Sequence, residues 1–295
     1  MRKIVIYLIA CMFLASFLAS ISFVNEKEGI LVARIYIEKR PIVPILTEEG
    51  VEWEINTDSY TEPIAKPGNG KGKPPKPPKP PQDPADGELE KWALCIGISD
   101  YEGNGNDLNF CDEDAEEWKA FLQDQGYTVT ILKDSQATAA NIEAKINDLL
   151  SNEDADDYVV FTYSGHGLKY KKHGSCMLST DLILIPHKWF KSKFENADSS
   201  HIYFTFDACK IGGFQDSITT NRIGAFGSNN QLSWEDPDLQ NGVFTYYQIE
   251  GWNTYDNFED DSEYAVQGME NWASQYIGLT VDPFYVDNYA GEMNP

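Results

Sequence analysis

The feature that most constrains this chain is a pair of uninterrupted apolar runs, YVVFTYS at Tyr158–Ser164 and HIYFTF at His201–Phe206, set among segments with helical spacing. A strand that is apolar at consecutive rather than alternate positions is buried on both faces, as strands of a parallel sheet are. From Trp92 onward the pattern keeps alternating. Strands are read over Trp92–Ile98, Tyr127–Leu132 and Ile223–Phe226, and helices over Asp112–Gln125, Thr138–Ser151, Ile183–Asn196, Gly242–Gly251 and Tyr264–Ile277. This alternation predicts an α/β fold around a mainly parallel, doubly wound sheet with right-handed crossovers. In such sheets the functional groups collect outside the carboxyl ends of the strands.

Both apolar runs end in chemistry. The first leads into Gly165-His166-Gly167 and the second into Asp207-Ala208-Cys209. An imidazole and a thiol delivered to one sheet edge suit a nucleophile and its proton-transfer partner. The flanking glycines let backbone approach a substrate carbonyl and leave an amide free for an oxyanion. Either residue alone would be read as structural; two strand ends carrying both is a stronger signal.

These blocks resemble the caspase-like cysteine peptidases, marked by a His-Gly, a spacer and an Ala-Cys, here His166-Gly167 and Ala208-Cys209. The similarity runs through WALCIGISDY at 92–101, CDEDAEEW at 111–118, YVVFTYSGHG at 158–167, FDACKIGGF at 206–214 and GVFTYYQIEG at 242–251, and is nearest to the metacaspase type. It implies a three-layer α/β/α sandwich and a Cys-His dyad working through a thioester acyl-enzyme. Cys209 would be the nucleophile, His166 the proton carrier, and the amides of Gly167 and Cys209 the oxyanion donors, with no third carboxylate.

The acids suggest what is cut. In caspases, which cleave after aspartate, the residue two before the nucleophile is a neutral Gln; here it is Asp207. An acid there opposes an acidic P1 side chain and favours Arg or Lys. The metacaspase Cys-x-x-Asp block places a second acid at Asp114, after Cys111, so the resemblance implies a peptide or protein substrate with a basic P1 residue. Alternatives from the residues themselves are that Asp114 complements a helix dipole, that the domain is catalytically silent and binds a basic partner, or that it keeps the dyad with another P1 preference. Lys169, Lys171 and Lys172 follow His166 in what reads as a loop, a candidate for self-processing.

The rest of the chain is organised around this domain, assigned to residues 89–295. Residues 1–24 begin with Arg2 and Lys3 and then run apolar, which suits a cleaved signal peptide or a membrane anchor and exports the downstream chain. Membrane contact is expected only through that segment, and the location is secreted or anchored on the outer face. Residues 25–62 hold strand-like stretches at Ile30–Ile37 and Val51–Ile55 around a Pro-Ile-Val-Pro break, either packing on the main domain as a pro-segment or accessory strands, or loosely ordered. Residues 63–88 form a Pro/Lys-rich linker: nine of the fifteen prolines fall between Pro63 and Pro84, and the three-residue repeat matches polyproline II.

Charge excludes one class of partner. Residues 1–91 carry 12 Lys+Arg against 13 Asp+Glu, residues 92–295 carry 11 against 34. A domain this acidic repels nucleic acid. Calcium is an option rather than a requirement: DNFEDDSE at 256–263 supplies hard oxygens, yet a helix N-terminus explains it without metal. His173, His187 and His201 lack ligand spacing, so no zinc site is expected. Cys95 belongs to the core, and Cys111 with Cys176 would be free to pair outside the cell.

Overall fold

The computed structural model describes residues 42–56, 85–102 and 105–295. The apolar segment 1–24, the Ile30–Ile37 stretch and most of the Pro/Lys-rich linker lie outside these residues. Among the described residues no helix is long and apolar enough to cross a membrane.

The main sheet has six strands: β3 (Lys91–Gly97), β4 (Thr128–Lys133), β5 (Tyr158–Ser164), β9 (His201–Asp207), β10 (Arg222–Phe226) and β13 (Phe284–Asp287). Their order is β13-β10-β9-β5-β3-β4, all neighbours parallel except the antiparallel β10–β13 pair. The expected mainly parallel sheet is present. Successive residues alternate faces: in β5, Val159, Phe161 and Tyr163 enter one core and Val160 the other; in β9, Ile202, Phe204 and Phe206 oppose Tyr203. That is why the runs look continuously apolar in sequence.

One face carries α2 (Ala139–Asn152) and α3 (His187–Phe194); the other carries α1 (Cys111–Asp124), α4 (Val243–Gly251) and α5 (Phe258–Trp272). The result is a three-layer α/β/α sandwich. Phe161, Phe190, Phe194, Phe204, Phe206 and Phe214 interlock largely edge to face on the first side, each burial contributing about 1.5–3 kcal/mol. Thr138 caps α2 by accepting from the Asn141 amide at 3.2 Å, and Asn257 caps α5 by accepting from the Asp260 amide at 2.7 Å.

A second sheet was not anticipated. It has five strands in the order β2-β1-β8-β7-β6, from β1 (Ile42–Thr47), β2 (Gly50–Ile55), β6 (Gly167–Tyr170), β7 (Gly174–Leu178) and β8 (Leu184–Pro186). Four readings change with it. The Pro-Ile-Val-Pro break is largely strand β1, whose Val43 and Ile45 are core residues. The helix expected over Ile183–Asn196 begins only at His187, because Leu184, Ile185 and Pro186 form an internal strand buried on every side. The lysine loop after His166 is instead a β6–β7 hairpin with a tight turn at Lys171–His173. Residues 42–55 pack on the main domain through the β1–β8 pairing and the core side chains of Val43, Ile45 and Leu46.

The last helix starts at Phe258, six residues before the reading of Tyr264–Ile277, so Glu259, Asp260, Asp261 and Glu263 fall within its first turns and Asp256 just precedes it. Cys111 and Cys176 are free thiols, one opening α1 and the other inside β7.

Candidate active site

β5 and β9 are neighbouring parallel strands in register, with Ser164 opposite Asp207. His166 and Cys209 therefore stand at equivalent places, each two residues past the last registered pair. Gly165 donates its amide to the Asp207 carbonyl at 3.2 Å, carrying the contact past the strand ends. Gly167 must be glycine: a methyl group there would overlap the Cys209 carbonyl oxygen and lie 3.1 Å from the Ala208 Cβ. The structure thus brings His166, Gly167 and Cys209 together at one sheet edge.

The imidazole is fixed by a backbone carbonyl. His166 Nε2 lies 2.7 Å from the Asn106 carbonyl oxygen, which can only accept, so Nε2 carries the hydrogen and Nδ1 is the nitrogen with the free lone pair. No carboxylate is needed to set this tautomer. Both side chains are 6% exposed. Burial holds the imidazole down at about 4 and pushes the thiol up to about 12, so the resting pair is thiol and neutral imidazole. Cys209 Sγ points to the Ser233 carbonyl at 3.7 Å.

Asp114 and Asp207 also converge. A methyl group at Gly242 would overlap an Asp207 oxygen and lie 2.7 Å from Asp114 Oδ2, so the two carboxylates face each other across this glycine. Asp114 comes from the first turn of α1. That helix end is held remotely. Glu235 accepts the Phe110 amide at 2.7 Å from β11 (Glu235–Asp236), which pairs with β12 (Asn241–Gly242), and Ser99 Oγ accepts the Asp112 amide at 3.1 Å. Asp114 accepts from Ser164 Oγ at 2.5 Å, the Gly242 amide at 2.9 Å and Asn241 Nδ2 at 3.2 Å. Asp207 accepts from Ser233 Oγ and from the Thr245 amide and hydroxyl at 3.0 and 3.1 Å. No ion pair among the described residues involves either acid. Burial raises both above the ordinary carboxylate range, and the charge of Asp207 raises Asp114 further.

Sequence reasoning named His166, Gly167, Cys209, Asp114 and Asp207; it missed their supports. Ser164 was legible as the last residue of its strand. Thr245 lies in the GVFTYYQIEG block at 242–251, which does not single it out, whereas Asn106, Ser233 and Asn241 lie in segments with no motif, and only folding brings them here. The acids of 256–263 do not converge on a metal site: Asp260 is engaged with Asn257, Glu259 accepts the Met293 amide at 2.9 Å, and Asp261 is buried. Among the described residues, carboxylates approach as a group of three at Asp86, Asp154 and Asp156, at the amino ends of the strands and away from this site.

A parallel α/β/α sandwich with an imidazole and a thiol at adjacent carboxyl strand ends defines a caspase-type domain. The caspase domain family profile matches residues 90–270, more than half of the chain, and the chain belongs to this family of caspase-like cysteine peptidases. Metacaspase-4 of Arabidopsis thaliana is 25% identical over 169 residues, covering 51% of this chain and 39% of that protein. Metacaspase-8 of the same plant is 26% identical over 145 residues, covering 42% and 38%. The chain spans about two-fifths of the length of these curated relatives. Protein GSU0716 of Geobacter sulfurreducens, a crystal structure, superposes with a TM-score of 0.55 at 15% identity, covering 70% of this chain and 97% of that one, a likeness of fold.

Proposed function

We propose that the domain is a cysteine endopeptidase cutting after Arg or Lys. The observation that carries the specificity is the facing pair of buried carboxylates, Asp114 and Asp207, with no cation between them, beside the strand that leads to Cys209. Two acids whose burial disfavours their charge form a site that a guanidinium or ammonium would stabilise. Entry of such a side chain has to displace part of the Ser233–Gly242 segment, whose donors occupy the acids at rest.

In the reaction His166 Nδ1 takes the Cys209 thiol proton as sulfur bonds to the scissile carbonyl carbon. The oxyanion is held by the amides of Gly167 and Cys209. The carbon–nitrogen bond then breaks as the imidazolium protonates the leaving amine. Water adds to the thioester, the carbon–sulfur bond breaks, and the thiol is restored. The chemical step requires no metal.

The exposed Lys171 and Lys172 at the hairpin tip remain the proposed self-processing point. There Lys172 pairs with Glu54 at 2.5 Å, and Lys171 Nζ bonds Asn56 Oδ1 at 2.8 Å, so the β1–β2 hairpin clasps the turn. The apolar residues 1–24 and linker 63–88 are assigned as export segment and spacer, placing the domain outside the cytoplasmic membrane. Fluorogenic peptides ending in Arg, Lys, Asp or Asn, given to the full chain and to Cys209→Ala, test the function. Turnover of Arg and Lys peptides by the unaltered chain alone is expected; turnover confined to Asp peptides would sink the specificity.

A further inference from the structure

The clearest group that the dyad chemistry leaves unused is a pair of buried tyrosines. Tyr101 follows β3 and Tyr163 lies in β5; they are 2% and 1% exposed. Their hydroxyls hold both backbone groups of His166. The Tyr101 hydroxyl accepts the His166 amide at 2.8 Å, and the Tyr163 hydroxyl lies 2.8 Å from the His166 carbonyl oxygen, to which it donates. Tyr163 also lies 3.0 Å from the Leu178 carbonyl and accepts the Leu178 amide at 3.2 Å, tying the turn to β7. The hydroxyls are 3.5 Å apart. Gly165 fits between them only because it has no side chain: a methyl group there would lie 2.6 Å from the Tyr101 oxygen and 2.8 Å from the Tyr163 oxygen.

Tyr101 acts on the imidazole as well. Its ring sits 4.7 Å from the His166 ring, centroid to centroid, tilted by 42°. Asn106, five residues further on, fixes the ring edge through Nε2. Tyr101 is itself anchored on both sides, because Thr180 Oγ1 donates to the Asp100 carbonyl at 3.0 Å and the Glu102 amide donates to the Thr180 carbonyl at 3.2 Å. One short segment therefore controls the face, the edge and the backbone of the imidazole.

We propose that Tyr101 and Tyr163 are positioning residues for His166: their hydroxyls fix its backbone in the turn, and the Tyr101 ring shields its imidazole from water. Burial raises both phenols above their ordinary range, so both are protonated at neutral pH. The inference rests on the peptidase reading for its kinetic readout alone.

The test uses the full chain with Tyr101→Phe, Tyr101→Leu and Tyr163→Phe, checked by thermal melting. Turnover of an Arg peptide and the NMR titration of His166 are followed, the signal being assigned among the four histidines with His166→Ala. Loss of one hydroxyl in Tyr101→Phe is expected to lower kcat about tenfold with KM within about twofold, the equivalent of about 1.4 kcal/mol for a hydrogen bond, and to leave the titration in place. Tyr163→Phe behaves likewise. In Tyr101→Leu water reaches the ring, and the titration moves up from about 4 towards the ordinary histidine value. Unchanged kcat in both Phe variants, or an unmoved titration in the Leu variant, overturns the proposal. Should Tyr163→Phe not fold, the two Tyr101 variants decide it. A chain that turns over no peptide overturns the peptidase reading and leaves the titration to judge the positioning.

Discussion

Two pairs of buried side chains share the carboxyl edge of the main sheet, and they have opposite needs. His166 and Cys209 are complete at rest: a backbone carbonyl sets the tautomer, both groups are neutral, and only access to substrate is missing. Asp114 and Asp207 have their oxygens occupied by hydroxyls and amides, yet lack the positive charge that would justify burying two acids together. Buried acids without a cation cost stability, so a fold that keeps them has a use for the cost. In the proposed function the first pair carries the reaction and the second the choice of substrate.

Changes to the reacting pair should have the largest effect. Cys209→Ala and His166→Ala each are expected to reduce kcat by roughly 10³-fold or more, and the double variant by little more, because the two act as a unit. Additive losses in a double-variant cycle would contradict the pairing. Next come the acids. Truncating one partner of a buried charge pair costs about 2–5 kcal/mol, so Asp207→Ala should lower kcat/KM for Arg peptides by roughly 30-fold or more, with Asp114→Ala comparable. A similar loss on Asn peptides would show general damage instead.

The effect of pH separates the pairs further. The folded state holds His166 near 4, below its ordinary value, favouring the neutral form. Its contribution to stability is present above about 6.5 and is lost as pH falls through about 4. The acid limb of kcat/KM should accordingly lie well below the ordinary histidine value, and iodoacetamide labelling of Cys209 should be slow near neutrality and quicken as pH rises. The acids run the other way: their raised values favour the protonated fold, so stability falls as pH rises above the ordinary carboxylate range. Asp114→Asn cannot ionise and should lose less stability than the unaltered chain as pH rises above the ordinary carboxylate range, read by denaturant titration at several pH values. The smallest effect belongs to Glu54→Ala, whose partly exposed bonds to Lys172 and His173 are worth under about 1 kcal/mol. It should shift the melting temperature little while speeding cleavage between residues 169 and 173, read by mass spectrometry.

β13, whose four residues alternate half-buried and exposed, was not read, but most of the main sheet was legible because β3, β5 and β9 are apolar on both faces and His166 and Cys209 follow two of them directly. The second sheet was not. β8 has three residues, and its Leu-Ile-Pro leads straight into the apolar positions of α3, so periodicity merges strand and helix. β1 contains Pro44, which reads as a break, yet the residue pairs with Trp53 and the strand continues. For the site, a motif marked each reacting group, whereas the groups that restrain them are Tyr101 and Thr245, inside matching blocks that do not mark their role, and Asn106, Ser233 and Asn241, where sequence carries no motif. Ser233 donates to an acid 26 residues away, and Asn241 to one 127 residues away.

Selection of a positive charge by the buried acids next to Cys209 is the proposed basis of specificity. Its most direct test is kcat/KM for two peptides differing only in Arg or citrulline at P1, which have nearly the same shape and differ in charge. The unaltered chain should prefer Arg by roughly 10²-fold or more, and the preference should collapse in Asp207→Asn. Equal turnover of the two peptides by the unaltered chain would contradict it.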